Sequence, residues 1–199
     1  MKNSFFINKA TGMKLFSALI FLLIFVGVGY YFLFKNNTCV VPYLKANGNY
    51  IIVESTNMEA IDAFEYEECR LLTNGFIIYR ENSKCGLYSK NGTKLIPPIY
   101  SEIYDFENGY SLVSLENHYG VIDEKGTEVV PIRYEEIKIL PSKYFAVKNN
   151  NKWGFCNEIG KEIISPQFNS IEDFSDELAV VSNGSSYGYI NKQGMFVIP

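Results

Sequence analysis

The sequence contains only one histidine, His118, and this scarcity excludes several kinds of catalytic site. Zinc centres commonly use two or three histidines, and a serine nucleophile of the Ser-His-Asp type needs a histidine beside an aspartate. His118 lies next to a turn between two apolar segments, where an exposed loop residue is the ordinary occupant. We therefore expect neither a metal site nor a serine–histidine pair.

Other chemical signatures are also missing. No glycine-rich phosphate-binding loop precedes a helix, so nucleotide binding has no basis in the sequence. The acidic pairs Glu135-Glu136 and Glu172-Asp173 resemble the two carboxylates of a glycosidase, but they do not recur at a common position, and we expect them to be solvated. The sequence predicts a protein that is not an enzyme and that needs no cofactor.

The four cysteines show no C-x-x-C spacing; they are Cys39, Cys69, Cys85 and Cys156. Cys69 and Cys156 occupy positions that hold isoleucine in other copies of the repeat described below, which favours buried thiols in a small apolar core. An oxidising compartment would permit disulfides instead. The sequence leaves both states open.

Positive charge is in deficit over most of the chain. Three of the 18 basic residues precede Leu15, so 15 remain against all 22 acidic residues, a net charge of −7 for Lys35–Pro199. An acidic domain argues against binding to nucleic acid or to anionic lipid by charge. About 160 residues suffice for one substantial core.

Long apolar runs are absent except for one. Residues 15–34 hold twenty residues without a charge, enough to span a hydrocarbon core of roughly 30 Å as a transmembrane helix. Lys2, Lys9 and Lys14 precede this run, so the positive-inside rule predicts a cytoplasmic stub at 1–14 and an exported remainder. A cleaved signal peptide fits less well, because the run is long and ends in aromatic residues, and a buried soluble helix is the third reading.

The rest of the chain is organised by an internal repeat. Two glycines recur every 34 residues, at Gly86, Gly120, Gly154 and Gly188 and at Gly92, Gly126, Gly160 and Gly194. Apolar and proline positions keep the same period. We assign 35–49 to a juxtamembrane linker and 50–199 to the repeat domain, with a degenerate repeat at 52–85, repeats at 86–119, 120–153 and 154–187, and a partial repeat at 188–199.

The repeat predicts an all-β fold. Two glycines and a proline in each unit exclude the helix pairs of 34-residue tetratricopeptide repeats. A Ser, Asp or Asn stands three residues before each of Gly92, Gly126, Gly160 and Gly194, which predicts type I turns closed by a glycine with positive φ. We expect hairpin or three-strand units in which proline ends the second strand and Ile103 lies in a loop. Stacked units would form a curved, open, solenoid-like array, with a propeller-like ring as the alternative.

These residues resemble a known family. Lys152-Trp153-Gly154-Phe155, the glycine turn, the aliphatic pair and the proline are similar to the WG repeat, also called the KWG repeat. The likeness covers about Lys84–Pro199, and Cys85, Tyr119 and Tyr187 replace the tryptophan in the other copies. The resemblance implies a bacterial envelope protein whose β-repeat ectodomain is a binding module anchored in the inner membrane.

We expect this module to bind an envelope protein that the sequence does not name. The alternative is peptidoglycan or another carbohydrate, stacked on the repeated aromatics Trp153, Tyr119 and Tyr187. The outward-facing positions distinguish the two hypotheses. Residues that are polar and differ between copies favour a protein partner, whereas identical exposed aromatics favour a glycan.

Overall fold

The computed structural model describes residues 39–198, which form β-strands joined by turns, with no helix among them. The predicted stub at 1–14 and the predicted transmembrane helix at 15–34 lie outside these residues. Between residues 39 and 198, no helix is long and apolar enough to cross a membrane. The prediction of an all-β repeat domain is confirmed.

The described chain begins with a two-stranded N-terminal hairpin, formed by β1 (Val40–Leu44) and β2 (Tyr50–Glu54). β1 lies inside the range 35–49, where the sequence predicts a linker. The strand forms there because Val40, Val41 and Leu44 pair with β2, and Pro42 is tolerated in a strand at the edge of a sheet.

Four sheets of four strands follow. Sheet 1 contains β3 (Glu68–Leu71), β4 (Ile77–Glu81), β5 (Lys84–Tyr88) and β6 (Lys94–Tyr100). Sheet 2 contains β7 (Glu102–Glu107), β8 (Tyr110–Leu115), β9 (His118–Asp123) and β10 (Glu128–Tyr134). Sheet 3 contains β11 (Glu136–Ile139), β12 (Phe145–Asn149), β13 (Lys152–Cys156) and β14 (Glu162–Phe168). Sheet 4 contains β15 (Ser170–Ile171), β16 (Leu178–Ser182), β17 (Tyr187–Asn191) and β18 (Phe196–Ile198).

Each sheet is an antiparallel meander, in which every strand pairs with the next one in the sequence. The unit therefore has four strands, where the sequence predicts about three. The difference arises at Ile103, which was expected in a loop but lies on β7 opposite Val113. The first and fourth strands of each sheet are its two edges.

The predicted role of proline is wrong. Pro166 does not end a strand but lies inside β14, in a bulge opposite Gly154. Trp153 pairs with Phe168 and Phe155 with Ile164, so three residues of β14 face a single glycine. A Cβ on Gly154 would lie 2.6 Å from the Pro166 nitrogen, which shows that this glycine makes room for the bulge. Sheets 1 and 2 contain the same bulge, at Pro97 and Pro131.

The hydrophobic core is divided into four clusters, each formed by consecutive sheets. Val40 and Ile52 of the N-terminal hairpin pack with Tyr79 of sheet 1. The next cluster joins sheets 1 and 2, the third joins sheets 2 and 3, and the fourth joins sheets 3 and 4. Neighbouring sheets thus bury the apolar faces that one sheet cannot bury alone.

The turn glycines also contribute to the contact between sheets. All four have φ between 76° and 82°, and each donates its N–H to the carbonyl three residues earlier. A Cβ added to any of them would meet the preceding sheet or, for Gly92, the N-terminal hairpin and the segment that follows it; the residues met are Val40 and Ile61 for Gly92, Ile96 for Gly126, Val129 for Gly160 and Ile164 for Gly194. Glycine is needed at this position both for the turn and for the close approach of the next sheet.

Candidate functional site

The aromatic position of the repeat does not form a uniform row. Trp153 is 7% exposed, and the Nζ atoms of Lys138 and Lys148 lie 4.6 Å and 5.4 Å from the centroid of its ring. Tyr119 is half-buried, and its ring centroid lies 6.4 Å from that of Tyr104. Tyr187 is 71% exposed. The structure therefore gives the three predicted binding residues three different environments.

A groove crosses the first-strand edges of sheets 1, 2 and 3. Its volume is about 480 Å³. Charged, polar and apolar residues line it; they are Arg70, Tyr104, Asp105, Glu107, Leu112, Ile137, Lys138 and Ile139. Three consecutive sheets contribute, so the groove exists only because the sheets are packed in sequence. We call it the first-strand groove.

One repeat position supplies a residue to this groove from each of sheets 1, 2 and 3. Arg70 on β3, Tyr104 on β7 and Lys138 on β11 lie 34 residues apart, and all three are exposed. Glu172, next to β15 in sheet 4, is the fourth member and is also exposed. A cation, an aromatic, a second cation and an anion therefore occupy equivalent positions.

This repeat position is not among the predicted binding residues, although the sequence contains a signal for it. Each member directly follows the apolar second residue of the first strand, as Tyr104 follows Ile103 and Lys138 follows Ile137. Side chains alternate between the two faces of a strand. Because Ile103 is fully buried, its neighbour had to point outward.

Electrostatic contacts link the groove across sheets. Arg70 forms an ion pair with Asp105, and its guanidinium donates to the Ile103 carbonyl over 3.3 Å, which joins sheet 1 to sheet 2. A bulge in β7 between Ile103 and Phe106 directs this segment. Partial burial, followed by the neighbouring Tyr119, raises the pKa of Tyr104, so its phenol stays protonated and can donate a hydrogen bond.

The acidic pairs considered in the sequence do not form a catalytic arrangement. Glu135 accepts the backbone N–H groups of Asn150 and Asn151 at 3.0 Å and 3.1 Å. Glu136 pairs with Lys148, 3.2 Å away. Asp173 accepts the Ser142 backbone N–H at 3.0 Å. These carboxylates hold turns and strands in place.

Residues 39–198 contain no group of three or more His, Cys, Asp or Glu side chains that could hold a metal ion. His118 is exposed, and its Nδ1 lies 3.1 Å from the Glu116 carbonyl oxygen. That contact fixes the ring at the turn before β9.

A second aromatic cluster lies between the N-terminal hairpin and sheet 1. The Lys94 ammonium is within 5.0–5.7 Å of four ring centroids; the rings are those of Phe64, Tyr66, Tyr79 and Tyr88. Asp62 accepts hydrogen bonds from the Tyr66 and Tyr88 hydroxyls. Burial is the main cause that raises the pKa of all three tyrosines. The chain's own lysine fills this cage, so the cluster serves the N-terminal core.

The cysteines Cys69, Cys85 and Cys156 are free thiols within the described part of the chain. Cys85 and Cys156 are buried in the cores that join sheets 1 and 2 and sheets 2 and 3. Burial raises the pKa of both thiols and raises that of Cys69 to about 12. The folded state therefore favours the neutral thiols. The free energy of unfolding falls as the pH rises above about 8.5, the pKa of a cysteine in the unfolded chain, towards the raised pKa values of the folded protein.

This burial predicts slow thiol chemistry. In a Cys39→Ser background at pH 8, we expect Cys85 and Cys156 of the folded protein to react with iodoacetamide roughly a hundredfold more slowly than in urea. Mass spectrometry of timed peptide digests measures each rate. Equal rates for Cys156 in buffer and in urea would contradict its position in the core.

A comparison with known protein families finds the same repeat that the 34-residue period predicts. The family described as WG containing repeat matches residues 86–117, 119–153, 153–185 and 187–199, more than half of the chain. No curated protein matches the sequence.

Several solved structures match this chain at low identity and with TM-scores below 0.5. A eukaryotic initiation factor has 13% identity and a TM-score of 0.43, over 82% of this chain and 52% of that one. BamB from Moraxella catarrhalis has 9% identity and a TM-score of 0.35, over 81% and 58%. The WD40 beta propeller domain of Doa1 has 11% identity and a TM-score of 0.32, over 81% and 64%. The chain spans little more than half the length of the first two.

The family match includes the Trp-Gly pair of β13 and its counterparts Tyr119-Gly120 in sheet 2 and Tyr187-Gly188 in sheet 4, and in sheet 1 it begins at Gly86. These residues carry the resemblance noted in the sequence, and the bulge opposite Gly154 explains why a glycine recurs at this position. The chain belongs to the WG containing repeat family.

Proposed function

We propose that this chain is a non-catalytic binding module that recognises a protein partner through the first-strand groove. The observation that best supports this proposal is the exposed repeat position, which is occupied by Arg70, Tyr104, Lys138 and Glu172. A scaffold position that is always exposed but chemically different in each sheet provides a specific pattern of charge. Electrostatic complementarity of this kind selects one protein surface over another.

The composition of the groove supports a polypeptide as the ligand. Arg70 and Lys138 line the groove together with Asp105 and Glu107. Leu112, Ile137 and Ile139 are the apolar residues of the lining. A combination of apolar and charged residues is usual in a protein-binding surface, and tyrosine and arginine are enriched in such surfaces.

The glycan hypothesis receives less support. Sugar binding along an array needs equivalent exposed aromatics, but Trp153 is buried beneath two lysines and Tyr119 is half-buried. Only Tyr187 presents an open ring among the three. Carbohydrate binding is therefore the alternative that the cross-linking experiment must distinguish from protein binding.

The location of the module is part of the proposal. The charge-free run at 15–34 supports a single membrane anchor, and the three preceding lysines support a cytoplasmic N-terminus. In a bacterial cell, the repeat domain would then face the periplasm or the exterior from the inner membrane. The net charge of −7 suits a soluble domain kept away from anionic lipid.

A photo-cross-linking residue can test the groove in the full chain within its native membrane. We expect benzoylphenylalanine at Tyr104, which is 39% exposed, to give a discrete protein adduct. The matched control is Ile99, which is 48% exposed on β6, the fourth-strand edge of sheet 1, and which should give no such adduct. Lys138→Glu should reduce the Tyr104 adduct roughly tenfold through charge reversal in the groove.

Two results would contradict the proposal. Equal adducts from Tyr104 and Ile99 would mean that capture is not specific to the groove. Adducts that disappear after digestion of the wall with lysozyme would identify peptidoglycan as the ligand. An unchanged melting temperature for Lys138→Glu ensures that a lost adduct reflects binding.

A further inference from the structure

In sheets 2 and 3, the exposed residue of the first strand lies close to the aromatic position of the repeat. The ring centroids of Tyr104 and Tyr119 are 6.4 Å apart in sheet 2. Their equivalents 34 residues later are Lys138 and Trp153 in sheet 3, where the Lys138 ammonium lies 4.6 Å from the centroid of the indole. Sheet 3 therefore combines a cation of the first-strand groove with the tryptophan of the Trp-Gly pair.

The indole restricts the position of the Lys138 ammonium. Trp153 is 7% exposed and pairs across the strands with Lys148 and Phe168, so its ring presents a fixed face. A cation over such a face is attracted by the charge distribution of the ring. A mobile surface lysine loses rotamer entropy when it forms an ion pair. Lys138 has already lost part of this freedom, which favours the binding of an anion to it.

Lys138 has no acidic partner in the part of the chain that the structure describes. Glu136, two residues earlier on β11, pairs with Lys148. Arg70, the other cation of the groove, pairs with Asp105. None of the ion pairs among the described residues includes Lys138. The groove thus keeps one cation that no carboxylate of the same chain neutralises.

The same indole already contacts a lysine that binds a carboxylate. The Lys148 ammonium lies 5.4 Å from the ring centroid and 3.2 Å from a carboxylate oxygen of Glu136. An ammonium can therefore contact the ring of Trp153 and a carboxylate at the same time. Lys138 has the first of these two contacts and lacks the second.

The other groove residues limit what the ligand can carry. Leu112, Ile137 and Ile139 line the groove together with Lys138 and favour apolar side chains. Glu107 also lines it and takes part in none of the ion pairs between described residues. A carboxylate near Glu107 would be repelled, so a uniformly acidic ligand fits poorly. The lining favours one carboxylate among apolar side chains.

We propose that Lys138 and Trp153 form a site that binds one side-chain carboxylate of the partner protein, an aspartate or glutamate within an otherwise apolar segment. The site rests on the protein-binding role proposed for the first-strand groove, and it defines the chemistry of the ligand. The ammonium donates hydrogen bonds to the carboxylate, while the indole holds the ammonium in place. Trp153 is a positioning residue, since it acts on the ligand through Lys138.

Carbodiimide coupling of the full chain in its native membrane tests this contact. A water-soluble carbodiimide joins a carboxylate to an amine in contact with it, forming an amide with loss of water. We expect peptides in which the Lys138 amine is joined to an aspartate or glutamate of the protein that benzoylphenylalanine at Tyr104 captures. Lys125, an exposed lysine in the turn between β9 and β10, is the matched control and should not be joined to that protein.

Substitutions of Lys138 measure the contribution of its charge. Lys138→Arg keeps a cation over the ring and should retain the Tyr104 adduct within about twofold. Lys138→Met keeps a flexible apolar side chain without the charge and should reduce the adduct at least about tenfold.

A double-mutant cycle tests the positioning role of Trp153. Trp153→Phe should reduce the Tyr104 adduct roughly threefold in the parent chain, because phenylalanine attracts a cation less strongly than tryptophan. The same substitution should leave the adduct of Lys138→Met unchanged. Equal losses in both backgrounds would give Trp153 a structural role only.

The possible outcomes distinguish the carboxylate contact from the protein-binding role of the groove. Absence of a Tyr104 adduct would contradict the protein-binding role itself. A Tyr104 adduct that Lys138→Met retains in full, or a captured protein that is not joined to Lys138, would overturn the carboxylate contact and leave protein binding intact. A link from Lys138 to the terminal carboxylate of the partner, or to a peptide of the cell wall, would show that the ligand is not an aspartate or glutamate side chain of a protein.

Discussion

Gly160→Ala is expected to lower the free energy of unfolding by roughly 3–5 kcal/mol, because a positive φ and a backbone clash act together. Gly160 has φ 76°, and a Cβ there would lie 2.6 Å from the carbonyl carbon of Val129 in the preceding sheet. Backbone atoms cannot rotate away as a flexible side chain can. Sheets 2 and 3 would have to separate locally, and urea denaturation followed by tryptophan fluorescence would measure the loss.

Gly109→Ala is the matched control for this prediction. Gly109 also has a positive φ, 87°, but a Cβ there would meet no heavy atom within 4 Å. We expect a cost of about 1 kcal/mol for the backbone conformation alone. Equal losses for the two variants would show that the close approach of sheet 3 to Val129 contributes nothing.

Trp153→Ala is expected to cost roughly 3–5 kcal/mol, as is usual when a buried tryptophan is truncated. The ring is 7% exposed, pairs across the strands with Phe168 and supports Lys138 and Lys148. Thermal unfolding followed by circular dichroism would measure the change, since the substitution removes the only tryptophan. A loss of binding in this variant would therefore not identify a sugar site by itself.

Tyr187→Ala tests the same repeat position without the burial. Tyr187 is 71% exposed, so its removal should change the stability by no more than about 0.5 kcal/mol. If Trp153→Ala proved equally mild, the tryptophan would have a role outside the core. A large loss for Tyr187→Ala would instead reveal a contact that covers this ring.

The strands and turns of this fold could be predicted because their causes are local. A serine, aspartate or asparagine followed at the fourth position by glycine specifies the turn, and alternating apolar residues specify the strands beside it. The bulge was missed because proline is typical both of a strand end and of an irregularity within a strand. Only the pairing of β13 with β14 shows that Pro166 lies opposite Gly154.

The different environments of the aromatic position could not be predicted from that position alone. Trp153 lies beside Lys148 on β12 and Lys138 on β11, whose ammonium groups lie over its ring. The residues in those two places near Tyr187 are Ser182 and Glu172. Exposure is thus decided by neighbours on adjacent strands, and a repeat profile that treats each position separately does not record them.

The meander order of the sheets affects how the chain folds. Every strand pairs with the strand before or after it in the sequence, and no strand of sheets 1 to 4 pairs with one that is distant in the sequence. Contacts of short sequence separation lower the entropy lost before a β-sheet forms, which speeds folding relative to β-proteins with crossed connections. A nascent chain could complete sheet 1 before the residues of sheet 3 are synthesised, and duplication of one 34-residue unit would lengthen the array without rewiring any strand.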